Sequence, residues 1–362
     1  MAKVIKKLVR DVKKVADKKP KKESKEKIKT TDILSSGSTL LNLACTNNPF
    51  GAFTKGKYYF LVGDSASGKT FLSMTCFAEA LRHPEFKNYR LIYDNVEDGM
   101  NIDLEGLFNK EVADKVELPG DEPSFSIEDF YYHLDDALKK KKPFIYVLDS
   151  MDSLSSVAEV EKFEEHKEAH RKGTKTAGSY GDGKAKKNSE GLRKILKGLR
   201  DTGSILIIIS QTRDNLGFGF EKKTRSGGKA LRFYATVEIW SSLAGAIKKN
   251  IKGKKRQIGI HAELKIKKNR LTGELHSANM DIYPTYGIDD IGSIVDYLVD
   301  EKYWTKSGQK INASDFEIEM TRDKLIQYLE EKGQYKKLQI IAGRCWKEIR
   351  QAFDLGRKGR YQ

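Results

Sequence analysis

A short segment framed by two glycines has residue types suited to binding phosphate. In GDSASGKTF, Gly63 and Gly68 enclose a loop of small residues that ends in Lys69 and Thr70. Backbone N–H groups of such a loop point at anionic oxygens, the lysine reaches the terminal phosphates, and the threonine hydroxyl holds Mg²⁺. A helix beginning near Thr70 adds the positive end of its dipole. The segment predicts a site for ATP and Mg²⁺, and the residues expected at the nucleotide are Gly63, Asp64, Ser65, Ala66, Ser67, Gly68, Lys69, Thr70 and Phe71.

Carboxylates follow two other predicted strands. Asp149 ends FIYVLD, where it is expected to hold Mg²⁺ together with Thr70, and Ser150 beside it is a candidate secondary contact. YDNVED offers Asp94, Glu97 and Asp98, any of which could be the general base that polarises the water attacking ATP. Glu97 is the preferred base. Helix capping is the alternative role for the other two.

A glutamine follows the strand predicted at ILIII. Gln211 comes directly after ILIIIS and is therefore expected near the same edge of the sheet. An amide at that position can sense a γ-phosphate and transmit its presence into the segment that follows, as γ-phosphate contacts order switch segments. The alternative is a surface glutamine that only ends a strand.

The elements that must position these residues alternate along the chain. Strands are predicted at YYFLV, RLIYD, FIYVL and ILIII, and helices at 71–82, 127–140 and 189–200. Apolar strands without polar alternation, separated by helices, predict an α/β protein with a mostly parallel sheet flanked by helices. Ligands of such sheets bind beyond the carboxyl ends of the strands. TVEIWSS and HAELKIKKN predict two further strands, joined as a hairpin through the basic GAIKKNIKGKKRQ.

Two long segments, 155–188 and 213–230, are predicted to be irregular and therefore functional or disordered. The second contains Phe218 and Phe220 in GFGF, among the cations Arg213, Lys222, Lys223 and Arg225. Aromatic rings stack on the bases of single-stranded DNA while cations follow its phosphates. The alternative is a local apolar cluster that tethers the loop.

Composition indicates a globular protein and excludes several other classes. The 362 residues are 38% hydrophobic and 33% charged, and no apolar run approaches the roughly 18 residues of a membrane span. The three cysteines are widely separated, which favours a reducing cytoplasm over a disulfide framework. Of the net charge of +16, residues 1–30 contribute +9. This basic tail is a disordered arm, a DNA contact or an amphipathic helix that docks on another subunit.

The chain is predicted to divide into three parts. Residues 1–30 form the basic tail, residues 31–290 the ATPase core, and residues 291–362 a small and mainly helical C-terminal region. The last region carries helical patterns in IVDYLVDEKYW, DKLIQYLEEK and IIAGRCWKEIRQAF. It contains no recognisable catalytic residues.

Taken in order, these motifs resemble the RecA family of recombinases, and most closely its phage UvsX-like members. The resemblance covers roughly residues 31–305 and rests on ILSSGSTLLNLA, GDSASGKT, YDNVED, FIYVLDS, SQTR, SGGKALRFYATVEIW, KIKKNR and YGIDDIGSIVDYLVDEKYW. SGGKALRFYA discriminates best, because ring helicases of the same fold lack such a segment. The resemblance implies a RecA-like P-loop ATPase core.

The resemblance also implies roles for particular residues. The segments at about 155–188 and 214–228 correspond to two DNA-binding loops, and Lys184 and Lys186 are candidate contacts in the first. Gln211 matches the residue that links the γ-phosphate to the second loop, and Asp149 matches the metal-binding aspartate. Lys268 and Arg270 fall where the family places basic residues that reach the ATP of a neighbouring subunit, as an arginine finger does.

The function expected from this resemblance is that of a DNA-dependent ATPase. Such a protein forms helical filaments on single-stranded DNA and promotes pairing and strand exchange with homologous duplex DNA. Loader or single-strand-binding proteins are possible partners, no membrane is involved, and the location is the cytoplasm of a bacterial host if the protein is phage-encoded. The alternatives are a ring helicase or motor of the same fold, and a mediator or scaffold without useful turnover.

Overall fold

The structure is a computed structural model, and it describes residues 29–97, 103–174, 183–214, 223–225 and 228–353. Within these ranges the α-helices are α1 (Thr39–Thr46), α2 (Lys69–Arg82), α3 (Leu104–Leu107), α4 (Lys110–Lys115), α5 (Ile127–Lys139), α6 (Val157–Arg171), α7 (Gly183–Thr202), α8 (Gly228–Tyr234), α9 (Asp290–Asp300), α10 (Arg322–Glu331) and α11 (Tyr335–Ala352). The strands are β1 (Ile33–Leu34), β2 (Phe53–Thr54), β3 (Tyr58–Gly63), β4 (Arg90–Asn95), β5 (Val116–Glu117), β6 (Phe144–Asp149), β7 (Ile205–Asp214), β8 (Lys223–Arg225), β9 (Val237–Ile251), β10 (Lys254–Asn269), β11 (Ser277–Tyr283), β12 (Gly287–Asp289), β13 (Thr305–Ser307), β14 (Lys310–Ala313) and β15 (Ile318–Thr321).

One large sheet forms the centre of the molecule. Its strand order is β12-β11-β10-β9-β3-β7-β6-β4-β5, and β8 pairs with the end of β7. The run from β9 to β5 is parallel, whereas β9 to β12 pair antiparallel. The predicted α/β fold with a mostly parallel sheet is confirmed, and so is the predicted hairpin, which is β9 and β10.

The central strands are buried on both faces, which explains their unbroken apolar sequence. In β3, Tyr59 and Leu61 join one apolar cluster, while Tyr58, Phe60 and Val62 join the cluster on the opposite face. Helices cover both faces, because a parallel sheet needs crossover connections that lie over it. The core therefore fixes the position of the strands, and the loops at their carboxyl ends are available to form a binding site.

Strand register brings the ends of distant strands to the same edge. Gly63 at the end of β3 pairs with Gln211 of β7 on one side and with Ser241 of β9 on the other. Asp149 at the end of β6 pairs with Asn95 of β4. These strands run in the same direction, so their carboxyl ends all open on one side of the sheet.

The prediction of an irregular segment at 155–188 is wrong over much of its length. Residues 157–171 form α6 and residues from 183 onward belong to α7. Ser156 and Glu159 form a capping box at the start of α6. Ion pairs on the helix surface, such as that of Lys167 with Glu164, stabilise it further. No residue of α6 is buried, so the helix lacks the apolar periodicity from which it could have been recognised.

The region after residue 290 combines helices with a small sheet. Alongside α9, α10 and α11 it contains the antiparallel sheet β13-β14-β15, which the prediction of a mainly helical region did not include. Leu338 and Ile341 of α11 belong to the same apolar cluster as Leu41 of α1. Among the described residues, no helix combines the length and the apolar character needed to cross a membrane.

Candidate nucleotide site

The loop between β3 and α2 has the geometry of a phosphate cradle. Gly68 has φ 88°, a left-handed conformation that glycine adopts without steric cost, and Ala66 also has positive φ, at 58°. A Cβ at Gly63 would overlap the carbonyl oxygen of Ser241 on β9. The Ser241 hydroxyl donates to the Ser67 carbonyl at 2.7 Å and holds the loop against the sheet. The backbone of the loop therefore stays packed closely against β9.

Lys69 places a buried cation inside this cradle. Its Nζ donates to the carbonyl oxygens of Gly63 at 3.0 Å and Asp64 at 2.6 Å. Burial lowers the pKa of Lys69, and the surrounding carboxylates, with Asp149 first, act in the opposite direction. A buried cation that is costly to desolvate suits an anionic ligand, because phosphate oxygens would replace the lost hydration.

Thr70 and Asp149 meet beside the cradle. The Thr70 hydroxyl donates to Asp149 Oδ2 at 2.7 Å, and the Tyr93 hydroxyl donates to the same oxygen at 3.2 Å. Burial is the largest factor raising the pKa of Asp149, and the nearby charge of Glu97 acts in the same direction. A hydroxyl and a carboxylate at one point form the small oxygen-ligand set with which proteins hold Mg²⁺ on a nucleotide, so these residues fit the predicted metal.

Glu97 lies at the centre of a second group of polar side chains. Its Oε1 accepts from the Ser150 hydroxyl at 2.5 Å and from Gln211 Nε2 at 3.0 Å. The structure thus brings together the preferred general base, the predicted phosphate sensor and the predicted secondary contact. Glu97 is exposed, so solvent reaches the carboxylate.

The end of β7 is hydrogen-bonded to both halves of the site. The Gln211 backbone N–H donates to Asp152 Oδ2 at 2.7 Å, and the Thr212 hydroxyl donates to Asp64 Oδ1 in the phosphate loop. The sequence assigned no role to Thr212 or Asp152, although each lies just past the end of a predicted strand. That position was the signal available for finding them.

Asp94, one of the three candidate bases, has a different environment. Its carboxylate is fully buried and accepts from the backbone N–H of Ser124 at 2.8 Å, the Ser124 hydroxyl at 2.6 Å and the Tyr146 hydroxyl at 2.6 Å. Burial raises the pKa of Tyr146, and the negative charge of Asp94 raises it further. The hydroxyl therefore stays protonated and donates its hydrogen bond. Asp94 therefore stabilises the segment before α5 through these hydrogen bonds and does not face the site. Asp98 lies outside the described residues.

We expect Asp94→Ala to lower the free energy of unfolding by about 3 kcal/mol or more, because it leaves three buried donors without an acceptor. Chemical denaturation measures this loss. The matched control is Asp114→Ala at an exposed position of α4, expected within about 0.5 kcal/mol of the parent protein. A variant at Asp94 that is as stable as the parent but inactive would instead make Asp94 catalytic.

Lys268 and Arg270 lie away from the phosphate loop of their own chain. In the sheet, Lys268 of β10 lies opposite Glu238 of β9, and Glu238 lies opposite Phe60 of β3. Phe60 is three residues, or about 10 Å, before the end of β3. Lys268 Nζ donates to the carbonyl of Phe233 at 2.8 Å, and Arg270 Nη2 donates to the same oxygen at 2.7 Å. Both cations therefore sit at the C-terminal end of α8, near the amino edge of the sheet, where the helix dipole favours positive charge.

The predicted DNA contacts are only partly described. Phe218, Phe220 and Lys222 lie outside the described residues. The backbones of Arg213, Lys223 and Arg225 form the antiparallel pairing of β7 with β8, which extends past the site. Lys184 lies on α7 with its Nζ 3.9 Å from Glu159, and Lys186 is exposed on the same helix. These assignments stay predictions.

A cavity of about 510 Å³ adjoins the phosphate loop. Residues 66–71 form one wall, and the β10 segment 257–260 with Ile282 and Pro284 forms the other. The volume is in the range of small-molecule sites. A larger cavity, of about 630 Å³, lies between β10, β11, α9 and α11 and contains none of the predicted site residues.

The fold and the site define a P-loop nucleotide-binding protein with an α/β core. A family model described as the RecA N-terminal domain matches residues 145–289. Protein RecA of Cytophaga hutchinsonii is 28% identical over 317 residues, which cover 83% of this chain and 78% of the relative. Protein RecA of Rippkaea orientalis is 25% identical over 334 residues, covering 90% and 84%. The mitochondrial DNA repair protein recA homolog of Dictyostelium discoideum is 28% identical over 312 residues, covering 84% and 61%. Together these similarities show that the chain resembles RecA proteins over most of its length.

Proposed function

We propose that this chain is an ATP-dependent recombinase that assembles on single-stranded DNA and promotes homologous pairing and strand exchange. One observation carries the proposal. The strand β7 that leads into the predicted DNA-binding segment is hydrogen-bonded to the phosphate loop through Thr212 and to the candidate base through Gln211. A change at the nucleotide therefore acts directly on the DNA-binding side of the molecule. The relatives named Protein RecA support the same function.

Each side chain of the site has a task in ATP hydrolysis. Lys69 neutralises charge on the terminal phosphates, and the loop amides orient them. Thr70 and Asp149 would hold Mg²⁺, which would neutralise further charge on the phosphate oxygens. Glu97 accepts a proton from the attacking water. Gln211, hydrogen-bonded to Glu97, reports the presence of the γ-phosphate to β7.

The position of Lys268 and Arg270 supports a role across a subunit boundary. Within one chain they lie near the opposite edge of the sheet from the phosphate loop. In a head-to-tail filament this edge would face the phosphate loop of the next copy, where the two cations stabilise developing charge. ATP would then tighten the boundary and hydrolysis would loosen it.

We also propose the finer assignment to the phage UvsX-like group, with homologous duplex DNA and loader proteins as partners.

Two measurements test the function together. Single-stranded DNA should stimulate ATP hydrolysis, and electron microscopy with a non-hydrolysable ATP analogue should show open helical filaments on that DNA. Closed rings that unwind duplex DNA would identify a helicase. DNA binding without stimulated hydrolysis would identify a mediator.

Lys268 gives a prediction for pH. Burial, followed by the positive charge of Arg270, lowers the pKa of Lys268 to about 8. The ammonium is therefore charged below that pH and becomes neutral above it. If the charge acts on a neighbour's ATP, DNA-stimulated turnover should fall about tenfold between pH 7 and pH 9. Lys268→Arg should remove this fall, because a guanidinium stays protonated.

The matched control is Lys265→Arg on the same strand, where the exposed side chain pairs with Glu263 at 2.9 Å. That variant should keep the fall with pH. A Lys268→Arg protein with an unchanged pH profile would contradict the role in a neighbouring site, since the titrating group would then lie elsewhere.

A further inference from the structure

The hairpin of β9 and β10 extends well beyond the sheet that supports it. β3 pairs with β9 only over residues 237–241, and β11 pairs with β10 only over residues 260–265. In the part of the chain that the structure describes, no other strand pairs with residues 247–256 of this hairpin. Five residues per strand at about 3.4 Å each give a ribbon that projects about 17 Å past its last support. Lys252 and Gly253 at its tip have φ 52° and 75°, as a tight two-residue turn requires.

The ribbon projects from the edge of the sheet that carries the nucleotide site. β9 runs parallel to β3 and continues past Ser241, the partner of Gly63, so its free end lies beyond the phosphate loop. The base of the ribbon, at residues 257–260, forms one wall of the cavity beside that loop. A ligand held on the ribbon therefore lies on the same side of the molecule as ATP.

This projecting ribbon carries a high density of positive charge. Residues 247–256 contain no acidic residue, and six cations are exposed there: Lys248, Lys249, Lys252, Lys254, Lys255 and Arg256. Among the described residues, none forms an ion pair with any of these six. Lys249 lies directly opposite Arg256, and facing like charges destabilise a strand pair. The ribbon therefore gains stability when an anionic partner covers it.

The cations occupy both faces of the ribbon. Directly opposed residues of an antiparallel pair share a face, and faces alternate along each strand. Lys248 and Lys255 therefore lie on one face, whereas Lys249, Lys254 and Arg256 lie on the other. An anionic partner that meets both faces at once must flank the ribbon on two sides.

We propose that this basic ribbon, residues 247–256, is a binding site for duplex DNA that inserts into a groove of the double helix. The major groove is about 12 Å wide and admits a two-stranded ribbon, and its two phosphate backbones would then flank the two charged faces. Single-stranded DNA fits less well, because the ribbon has no aromatic residue on which bases could stack. The ribbon is separate from the predicted DNA-binding segments at 155–188 and 214–228.

The biological role of this site rests on the proposed recombinase function, for which the ribbon would capture the homologous duplex. The binding itself can be measured without nucleotide and without single-stranded DNA, so the two proposals can fail separately. A parent protein whose ATP hydrolysis does not respond to single-stranded DNA would remove the recombinase function. It would leave the result with duplex DNA standing.

The test uses the full chain and a fluorescent duplex of mixed sequence, titrated at several salt concentrations. The triple variant Lys254→Gln, Lys255→Gln, Arg256→Gln should bind the duplex at least tenfold more weakly. The slope of log affinity against log salt should decrease in magnitude by about three, since each phosphate contact contributes about 0.9. Single-stranded DNA should bind within about twofold of the parent.

The control triple variant is Lys140→Gln, Lys141→Gln, Lys142→Gln, which removes three exposed lysines just before β6, at the amino edge of the sheet. It should bind the duplex as the parent does. Equal losses in both triple variants would show that duplex binding depends only on net charge, and would overturn the proposal. Unchanged duplex binding in the ribbon variant, or an equal loss for single-stranded DNA, would also overturn it.

A second variant separates binding from folding of the ribbon. Lys249→Glu places a carboxylate opposite Arg256 and replaces a repulsive pair with an attractive one, so it favours the ribbon. It also lowers the local charge by two and should weaken duplex binding several-fold. A Lys249→Glu protein that binds the duplex as tightly as the parent would count against the proposal.

Discussion

Lys69→Ala is expected to reduce ATP hydrolysis and nucleotide-dependent DNA binding by at least about a hundredfold. The variant removes the buried cation that Gly63 and Asp64 hold in the phosphate cradle. Loss of a preorganised charge at a reacting phosphate costs about two to three orders of magnitude in rate. Lys69 also lowers the pKa of Asp149, so its loss makes the metal-binding carboxylate harder to ionise. Fluorescent nucleotide titration and steady-state hydrolysis measure the two effects.

The control is Lys87→Ala, which removes an exposed lysine beyond the end of α2. Its nucleotide affinity and turnover should match those of the parent. Circular dichroism must show that Lys69→Ala keeps its helical content and melting behaviour. A folded Lys69→Ala protein with near-normal ATP affinity would place the nucleotide somewhere other than this loop.

Glu97→Gln is expected to lower turnover by about two to four orders of magnitude while nucleotide affinity stays within a few-fold. The amide keeps an oxygen that can accept from Ser150 and Gln211, but it cannot take a proton from water. General base catalysis typically contributes an effect of this size. Single-turnover hydrolysis, measured beside a nucleotide titration, separates the chemical step from binding.

The matched control is Glu85→Gln, an exposed glutamate that pairs with Lys55 far from the phosphate loop. It should leave turnover unchanged. Normal hydrolysis by Glu97→Gln would shift the general base to Asp98, since Asp94 is occupied by three hydrogen bonds. The same experiment with Asp98→Asn would then show the large loss instead.

The phosphate loop could be predicted from sequence because its chemistry is local. Gly63 to Thr70 are consecutive, and their glycine positions, lysine and threonine define the loop before any tertiary contact is known. Asp149 and Gln211 could also be predicted, because each follows an apolar strand and parallel strands end at one edge. Helix α6 could not be predicted this way, because its stability comes from a capping box and surface ion pairs and it buries none of its residues.

The choice among the carboxylates of YDNVED depended on burial. Asp94 and Glu97 are three residues apart and chemically alike in the sequence. The fold turns Asp94 into the core, where Ser124 and Tyr146 bind it, and leaves Glu97 exposed beside Gln211. Residues 30 to 114 positions away supply these partners, and no local pattern identifies them.

The amino-acid sequence by itself determined the α/β class, the phosphate loop and the approximate edge at which the other polar residues collect. Tertiary structure alone decided which of those residues touch: Thr212 with Asp64, Gln211 with Glu97, and Lys268 with the end of α8. The physical reason is that strand periodicity and loop composition act over a few residues. Contacts between strand ends depend on sheet order and register, which the packing of the whole core sets.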